Sequence, residues 1–388
     1  MRYSFKPMAL STSKRHTASV VEKDVYGAIL RIAQIAPLYE SVPPKLYGGT
    51  ERVVFHLTEQ LVKQGHEVTL FASGDSRTSA RLVSPCPTAL RLNSKCVDPL
   101  PYHIMSLDQV AARSDDFDVL HFHTDYFHFP LSKNLHLPSI TTLHGRLDIP
   151  DLQPLFRAFC SAPVVSISLA QRRPLAGVNW LGNIYHGLPA DLYEPRFQKG
   201  DYLAFLGRIS PEKRPDRAIE IAIRSGMHLK IAAKVDRVDQ EYFEVKIKPL
   251  LKHPGIEFIG EITDREKNEF LADAYAYVFP IDWPEPFGLT MIEAMACGTP
   301  TIAFRCGSVP ELMTEKVTGF VVDDLESAVA SVARIPEIDR RACRASFEKR
   351  FTAQRMSAEY VSLYQRSLGE VHEREMLEYE GTPPAVLQ

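Results

Sequence analysis

Twice along this chain a short apolar strand runs into a loop rich in Gly or Pro and then into a helix with one apolar face, and the second series starts afresh near residue 202. Residues 28–36 read as a strand and 37–49 as the loop. Residues 50–64 place Val53, Val54, Leu57 and Leu61 at helical spacing, Gly65 offers a left-handed stop, and 67–72 read as the next strand. That is one βαβ unit. Strands are expected at 119–123, 139–143, 164–167 and 183–186, and a boundary at 187–200, where Pro189 and Pro195 break the pattern. The second series gives strands at 202–206, 229–233, 256–259, 275–279, 301–304 and 319–322. Its helices are expected at 239–251, 264–274 and 289–297, with a terminal helix over 340–367. No sequence repeat links the halves. The fold expected is α/β, with two Rossmann-like, doubly wound parallel-sheet domains whose strand ends face a common central cleft.

Bulk properties narrow the function. A chain of 388 residues exceeds what one hydrophobic core usually serves. The expected division is an extension over 1–27, an N-terminal domain over 28–190, a C-terminal domain over 191–365 and a tail over 366–388. A net charge of -3 supplies no global field for nucleic acid or an anionic membrane, so an anionic ligand must be held locally. The six cysteines include no CxxC pair, which fits reduced thiols in a cytoplasm. No stretch approaches the ~18 apolar residues of a spanning helix, and residues 1–23 lack the continuous apolar core of a secretion signal. A transit peptide is conceivable there; a frayed extension is the commoner case. A cytoplasmic protein with no nucleic-acid partner and no integral membrane segment is expected.

The most informative segment is 283–300, WPEPFGLTMIEAMACGTP, directly after a strand. Glu293 lies in a helix with apolar residues on both sides. An unpaired buried carboxylate is expensive, so a hydroxyl or a cation must meet it. A neighbouring Arg or amide would satisfy it structurally; a ligand hydroxyl would make it functional. Glu285 precedes the helix, and an axial separation of roughly 7 to 8 Å from Glu293 suits two ends of one long ligand. Phe287, Gly288 and Leu289 open the helix with backbone N–H groups that Gly288 leaves approachable. A simple helix cap is the alternative.

Gly207 to Lys213, GRISPEK, follows the first strand of the second series. Arg208 can grip phosphate oxygens with its planar fork and Lys213 can add a point charge, unless both are merely solvated. Tyr47-Gly48-Gly49-Thr50 precedes the first long helix, where paired glycines let a backbone approach an anion. His144 ends the apolar strand Ile140 to Leu143, and its imidazole is expected in the cleft unless it is a structural histidine. Asp116-Phe117-Asp118 imitates a DxD metal motif at the wrong end of a strand. His121-Phe122-His123 with Asp125 has ligand types without a third ligand of clear spacing. No metal site is expected.

Taken together, GRISPEK and EPFGLTMIEAMACGTP closely resemble the signatures of the retaining family-4 glycosyltransferases, or glycosyl transferases group 1, with the GT-B fold. The glutamate spacing matches their E-x7-E motif. The resemblance takes in YGGTERVVFHL, GHEVTLFASG, DVLHFH and TGFVVDD and covers roughly residues 28 to 365. It implies that Arg208 and Lys213 hold a donor diphosphate and that Glu293 accepts ribose hydroxyls. Glu285 and the amides after Phe287 would contact the transferred sugar, and His144 would lie near its C6 region. Many members carry Lys-Gly where this chain has Lys213-Arg214, a departure that bears on the local turn. The expected activity is metal-independent, retaining transfer of a hexosyl group from a nucleotide diphosphate sugar, a co-substrate with no other cofactor, to a small-molecule, glycan or lipid acceptor. A nucleotide-sugar epimerase or an inactive nucleotide-sugar binding protein on the same architecture are the alternatives.

Overall fold

The computed structural model describes residues 28–45, 48–91 and 93–380, with the helical backbone alone over 371–380. The expected extension over 1–27, Tyr47 and the tail beyond 380 lie outside the described residues. The first sheet holds β1 (Arg31–Ile35), β2 (Glu67–Phe71), β3 (Arg81–Val83), β4 (Val119–Phe122), β5 (Ser139–Thr142), β6 (Val164–Ser166) and β7 (Trp180–Asn183). The second holds β8 (Tyr202–Arg208), β9 (His228–Lys234), β10 (Ile256–Gly260), β11 (Ala276–Phe279), β12 (Thr301–Phe304) and β13 (Gly319–Val322). Their orders are β3-β2-β1-β4-β5-β6-β7 and β10-β9-β8-β11-β12-β13. Every pairing within them is parallel. Strand order therefore reverses beside β1 in one sheet and beside β8 in the other, and ligands of such sheets bind at those crevices.

The strands are apolar on both faces because helices cover both. Ile32 of β1 packs with Val53, Leu57 and Leu61 of the helix Gly49–Lys63, while Ala33 and Ile35 pack on the other side with Phe71, Leu120 and Phe122. In the second sheet Ala204 and Tyr277 meet Met291, Ile292 and Met295, whereas Leu203 and Val278 meet Ile219 and Ala222. Such two-sided burial is what parallel sheets require.

Four departures from the sequence expectation are informative. β3 was not anticipated; its three residues are too few to carry a period. The last strand of the first sheet is Trp180–Asn183 rather than 183–186, paired Ser166 to Asn183, so His186 lies beyond the strand end. The segment expected as a helix over 239–251 is a broken run of single turns, including a π turn at Phe243–Ile247. Finally, the terminal helix is two helices, Arg340–Arg350 and Ala353–Glu380.

That last break corrects the expected domain division. The chain crosses to the second sheet at Leu188 and returns at Thr352, where the crossings bond through Leu188 N to Phe351 O at 2.9 Å and Ala353 N to Leu188 O at 2.8 Å. A side chain at Gly187 would stand 2.2 Å from Thr352 O, so only glycine allows this contact. Residues from Ala353 onward, assigned in part to the second domain, pack on the first: Met356, Tyr360, Leu363 and Tyr364 join the cluster around Ile32. Among the described residues no helix is long and apolar enough to cross a membrane.

Candidate functional site

A cleft of about 480 Å³ lies between the two sheets, reached by both switch points. On the second-domain side it begins where β8 ends. Arg208 pairs with Glu212 and stands 3.4 Å from Asp239 and 3.7 Å from Asp236, so three carboxylates surround its guanidinium. Lys213 pairs with Glu285, and its ammonium lies 5.0 Å from the Trp283 ring centre. Arg214 adopts φ 52° and ψ 52°, a left-handed conformation that glycine enters without cost. Here arginine bears the strain, and its side chain bonds Asp216 at 2.8 Å and Asp282 at 2.7 Å. The left-handed turn after Lys213 is thus made without a glycine.

β11 leads into the segment carrying Glu285. The backbone of Glu285 is pinned by Ser308 N at 3.0 Å, and Gly307 passes so close that a Cβ there would meet Glu285 N at 2.4 Å. Gly288, at φ 85°, turns the chain into the helix Leu289–Ala296; a Cβ on it would strike Met291 at 2.7 Å. The amides of that first turn therefore open on the cleft, with Phe287 buried beside them.

Glu293, 2% exposed, faces the same cleft. The cation expected from its burial is Lys267, whose ammonium lies 2.8 Å from one oxygen, and Tyr193 donates to that oxygen at 3.1 Å. The other oxygen, Oε2, has no hydrogen-bond partner among the described residues. A buried acceptor left in this state is costly unless something else meets it. Asp264, 3.4 Å from Lys267, also pairs with Arg52 of the first domain, so one ion-pair series joins the domains beside Glu293.

On the first-domain side Gly48 and Gly49 open the helix Gly49–Lys63. A Cβ on Gly49 would stand 3.5 Å from Leu289 Cδ1, so the N-termini of two helices, one per domain, approach across the cleft. Their partial positive charges converge where an anion would lie. Buried Glu51, in the first turn of that helix, is pushed up to about 7 by burial.

His144 follows β5 and lines the cleft. Its Nε2 lies 2.8 Å from Nδ1 of His123, its ring stacks on His186 at 5.2 Å, and His186 meets Phe287 at 4.7 Å. Burial holds His144 down to about 3 and His123 and His186 well below the usual histidine range, so all three are neutral. Arg208, Lys213, Glu285, Glu293, Gly48, Gly49, Phe287, Gly288, Leu289 and His144 thus all line one cleft. Lys267, Arg52, Tyr193 and His186 went unrecognised in the sequence, and His123 drew notice there only as a metal-ligand type. Asp118 bonds Arg31 at 2.7 Å in a partly exposed pair.

Two doubly wound sheets facing one cleft define the GT-B class. The structure aligns with sucrose-phosphate synthase from Thermosynechococcus elongatus at a TM-score of 0.72 and 18% identity, covering 88% of this chain and all of that one. Phosphatidyl-myo-inositol mannosyltransferase of Mycolicibacterium smegmatis is 25% identical over 351 residues, 80% of this chain and 86% of that protein. D-inositol 3-phosphate glycosyltransferase of Saccharomonospora viridis is 28% identical over 203 residues, 47% of this chain, and the match spans only 44% of that protein's length. Residues 47–178 match Glycosyltransferase Family 4, and residues 194–347 match Glycosyl transferases group 1. The chain belongs to this group 1, family 4 of glycosyltransferases.

Proposed function

We propose that this chain transfers a hexosyl group from a nucleoside diphosphate sugar to an acceptor hydroxyl, with retention of configuration and without a metal ion. The observation that carries the reading is the gathering of Arg208, Lys213, Glu285 and Glu293 on one cleft at the switch point of the second sheet. Glu293 Oε2, buried and unpartnered, is an acceptor suited to a ribose hydroxyl. Arg208, Lys213 and the amides at Gly288 and Leu289 are the donors suited to a diphosphate.

Both cations are engaged by acids: Arg208 by Glu212, Asp236 and Asp239, and Lys213 by Glu285. A bound diphosphate competes for them, most effectively when its charge grows as the glycosidic bond breaks. That gives leaving-group stabilisation from side chains and helix ends, the task a divalent ion performs elsewhere. Glu285, tied to Lys213 and Trp283, then lies where the sugar meets the diphosphate. The names of the relatives above point to an inositol-bearing acceptor, which we adopt as the class to test first. We place the reaction in a cytoplasm.

The test is a panel of UDP- and GDP-linked hexoses offered with inositol and inositol phosphates, reading nucleoside diphosphate release and product mass. A product one hexose heavier than its acceptor is the expected result. Epimerised sugar released without transfer, or binding without turnover, would contradict it.

A further inference from the structure

His144 is the last link of a polar chain that crosses the first domain, and the orientation of the Gln34 amide, Oε1 toward His123 and Nε2 toward Tyr364, sets the direction of each hydrogen bond in it. Gln34 of β1 is fully buried. Its Oε1 lies 2.8 Å from His123 Nε2, while its Nε2 lies 3.2 Å from the Tyr364 hydroxyl. A carbonyl oxygen only accepts, so His123 carries its proton on Nε2. A neutral imidazole has one such proton, which leaves His123 Nδ1 as an acceptor, and the group 2.8 Å from it, His144 Nε2, must donate. His144 is then left with a bare Nδ1. That atom is buried and has no partner among the described residues, on a residue that lines the cleft.

The far end runs with the same polarity. Tyr364 takes the Gln34 amide proton and donates its own to His121 Nδ1 at 2.7 Å; His121 Nε2 donates to Thr142 Oγ1 at 2.8 Å, and Tyr360 lies 2.7 Å beyond. Both tyrosines belong to the helix Ala353–Glu380, which returns from the second domain. Turning the Gln34 amide would reverse every bond between it and His144.

We propose that His123 is a positioning residue which, held through Gln34 by Tyr364, fixes the proton of His144 on Nε2 and leaves Nδ1 to accept a hydroxyl of the transferred sugar. This rests on the donor-sugar reading above. The returning helix thereby decides whether the cleft offers the sugar an acceptor or a donor. Removing the Tyr364 hydroxyl frees the Gln34 amide to turn and lets both histidine tautomers form.

Long-range proton–nitrogen correlation on 15N-histidine-labelled protein at neutral pH reads the tautomers directly, with His144 and His123 assigned by single substitution. The expected spectrum has both as Nε2–H forms, with the His144 Nδ1 resonance moving when UDP-glucose or GDP-mannose binds but not with UDP or GDP. Tyr364→Phe is expected to give a tautomer mixture at His144 and about a tenfold loss of kcat/KM with unchanged nucleoside diphosphate affinity, the effect of one hydrogen bond. A wild-type His144 protonated on Nδ1 would overturn the proposal, as would a Tyr364→Phe protein whose His144 tautomer is unaltered. The wild-type spectrum requires no turnover, so failure here is distinct from failure of the transferase reading, which the product assay decides.

Discussion

The ammonium of Lys213 and the carboxylate of Glu285 form an ion pair at the C-terminal edge of the second sheet, and Trp283 Nε1 donates to the same carboxylate oxygen at 2.9 Å. The pair sets an attractive group for a diphosphate directly against a repulsive one. Glu285→Gln should therefore tighten binding of a nucleoside diphosphate at least several-fold, since one close negative charge is worth about 1 kcal/mol even at the dielectric constant of water, while transfer falls. Calorimetry with the diphosphate and a turnover assay give the two numbers. Affinity and turnover falling together would mean that Glu285 supports the phosphate site instead.

Arg208→Ala and Lys213→Ala should act mainly on turnover. Each removes a cation whose value is greatest as the leaving group departs, about 3 to 4 kcal/mol or 10² to 10³ in kcat. The dissociation constant of the intact donor should change far less, because Glu212, Asp236, Asp239 and Glu285 offset both cations before the bond breaks. Wild-type activity should survive EDTA. A loss of activity that only magnesium or manganese restores would show that these side chains do not suffice.

Glu293→Ala should abolish most affinity for the nucleoside diphosphate. A buried carboxylate with no partner would be lost at little cost in stability, because a buried charge disappears. With Lys267 2.8 Å away the expectation changes: among the described residues its ammonium then keeps only Asp264, at 3.4 Å. Stripping one partner from a buried pair costs about 3 to 5 kcal/mol, and the remaining aspartate should hold the loss near 2. Denaturant melts check this, and Glu293→Ala with Lys267→Met should recover much of the stability. Unchanged diphosphate affinity in the single variant would remove the ribose role.

Glu51 makes stability depend on pH in a particular direction. Its folded pKa is about 7 against an ordinary 4.5, so the folded chain holds a proton that the unfolded chain gives up first. Stability from this group is complete below 4.5 and is lost as pH rises through 7, by about 3 kcal/mol at the limit. Glu51→Gln should therefore match wild type at pH 4 and be the more stable protein at pH 8. Parallel stability curves for the two proteins would place Glu51 in water.

Much of this was legible in the sequence, for reasons that also explain what was not. Most of the thirteen strands among the described residues announce themselves because they are predominantly apolar; β3 and β7 do not, being short or only partly buried at the sheet edge. Glu293 stood out because a carboxylate among Met and Ile has no solvent to face. Lys267 could not stand out, since its helix, DREKNEFLA, reads as an ordinary charged surface and only packing buries the ammonium. His121 and His123 drew notice for their metal-ligand types, and their bonds run instead to Tyr364 and Gln34, partners distant in sequence. The return of the last helix to the first sheet was invisible because periodicity reveals an apolar face but not the surface it covers.

The measurement that bears most directly on the central claim is proton NMR of the reaction as it runs, with an α-linked nucleotide hexose and the acceptor identified by the panel. The account predicts nucleoside diphosphate appearing together with a product whose first-formed anomeric signal is α. Glu285 and Glu293 are assigned to different parts of the donor, one paired with Lys213 and one with Lys267, so no carboxylate pair spaced for double displacement, about 5 to 5.5 Å in retaining glycosidases, is invoked. A first-formed β product, or donor consumed with no glycoside formed from any acceptor, would contradict it.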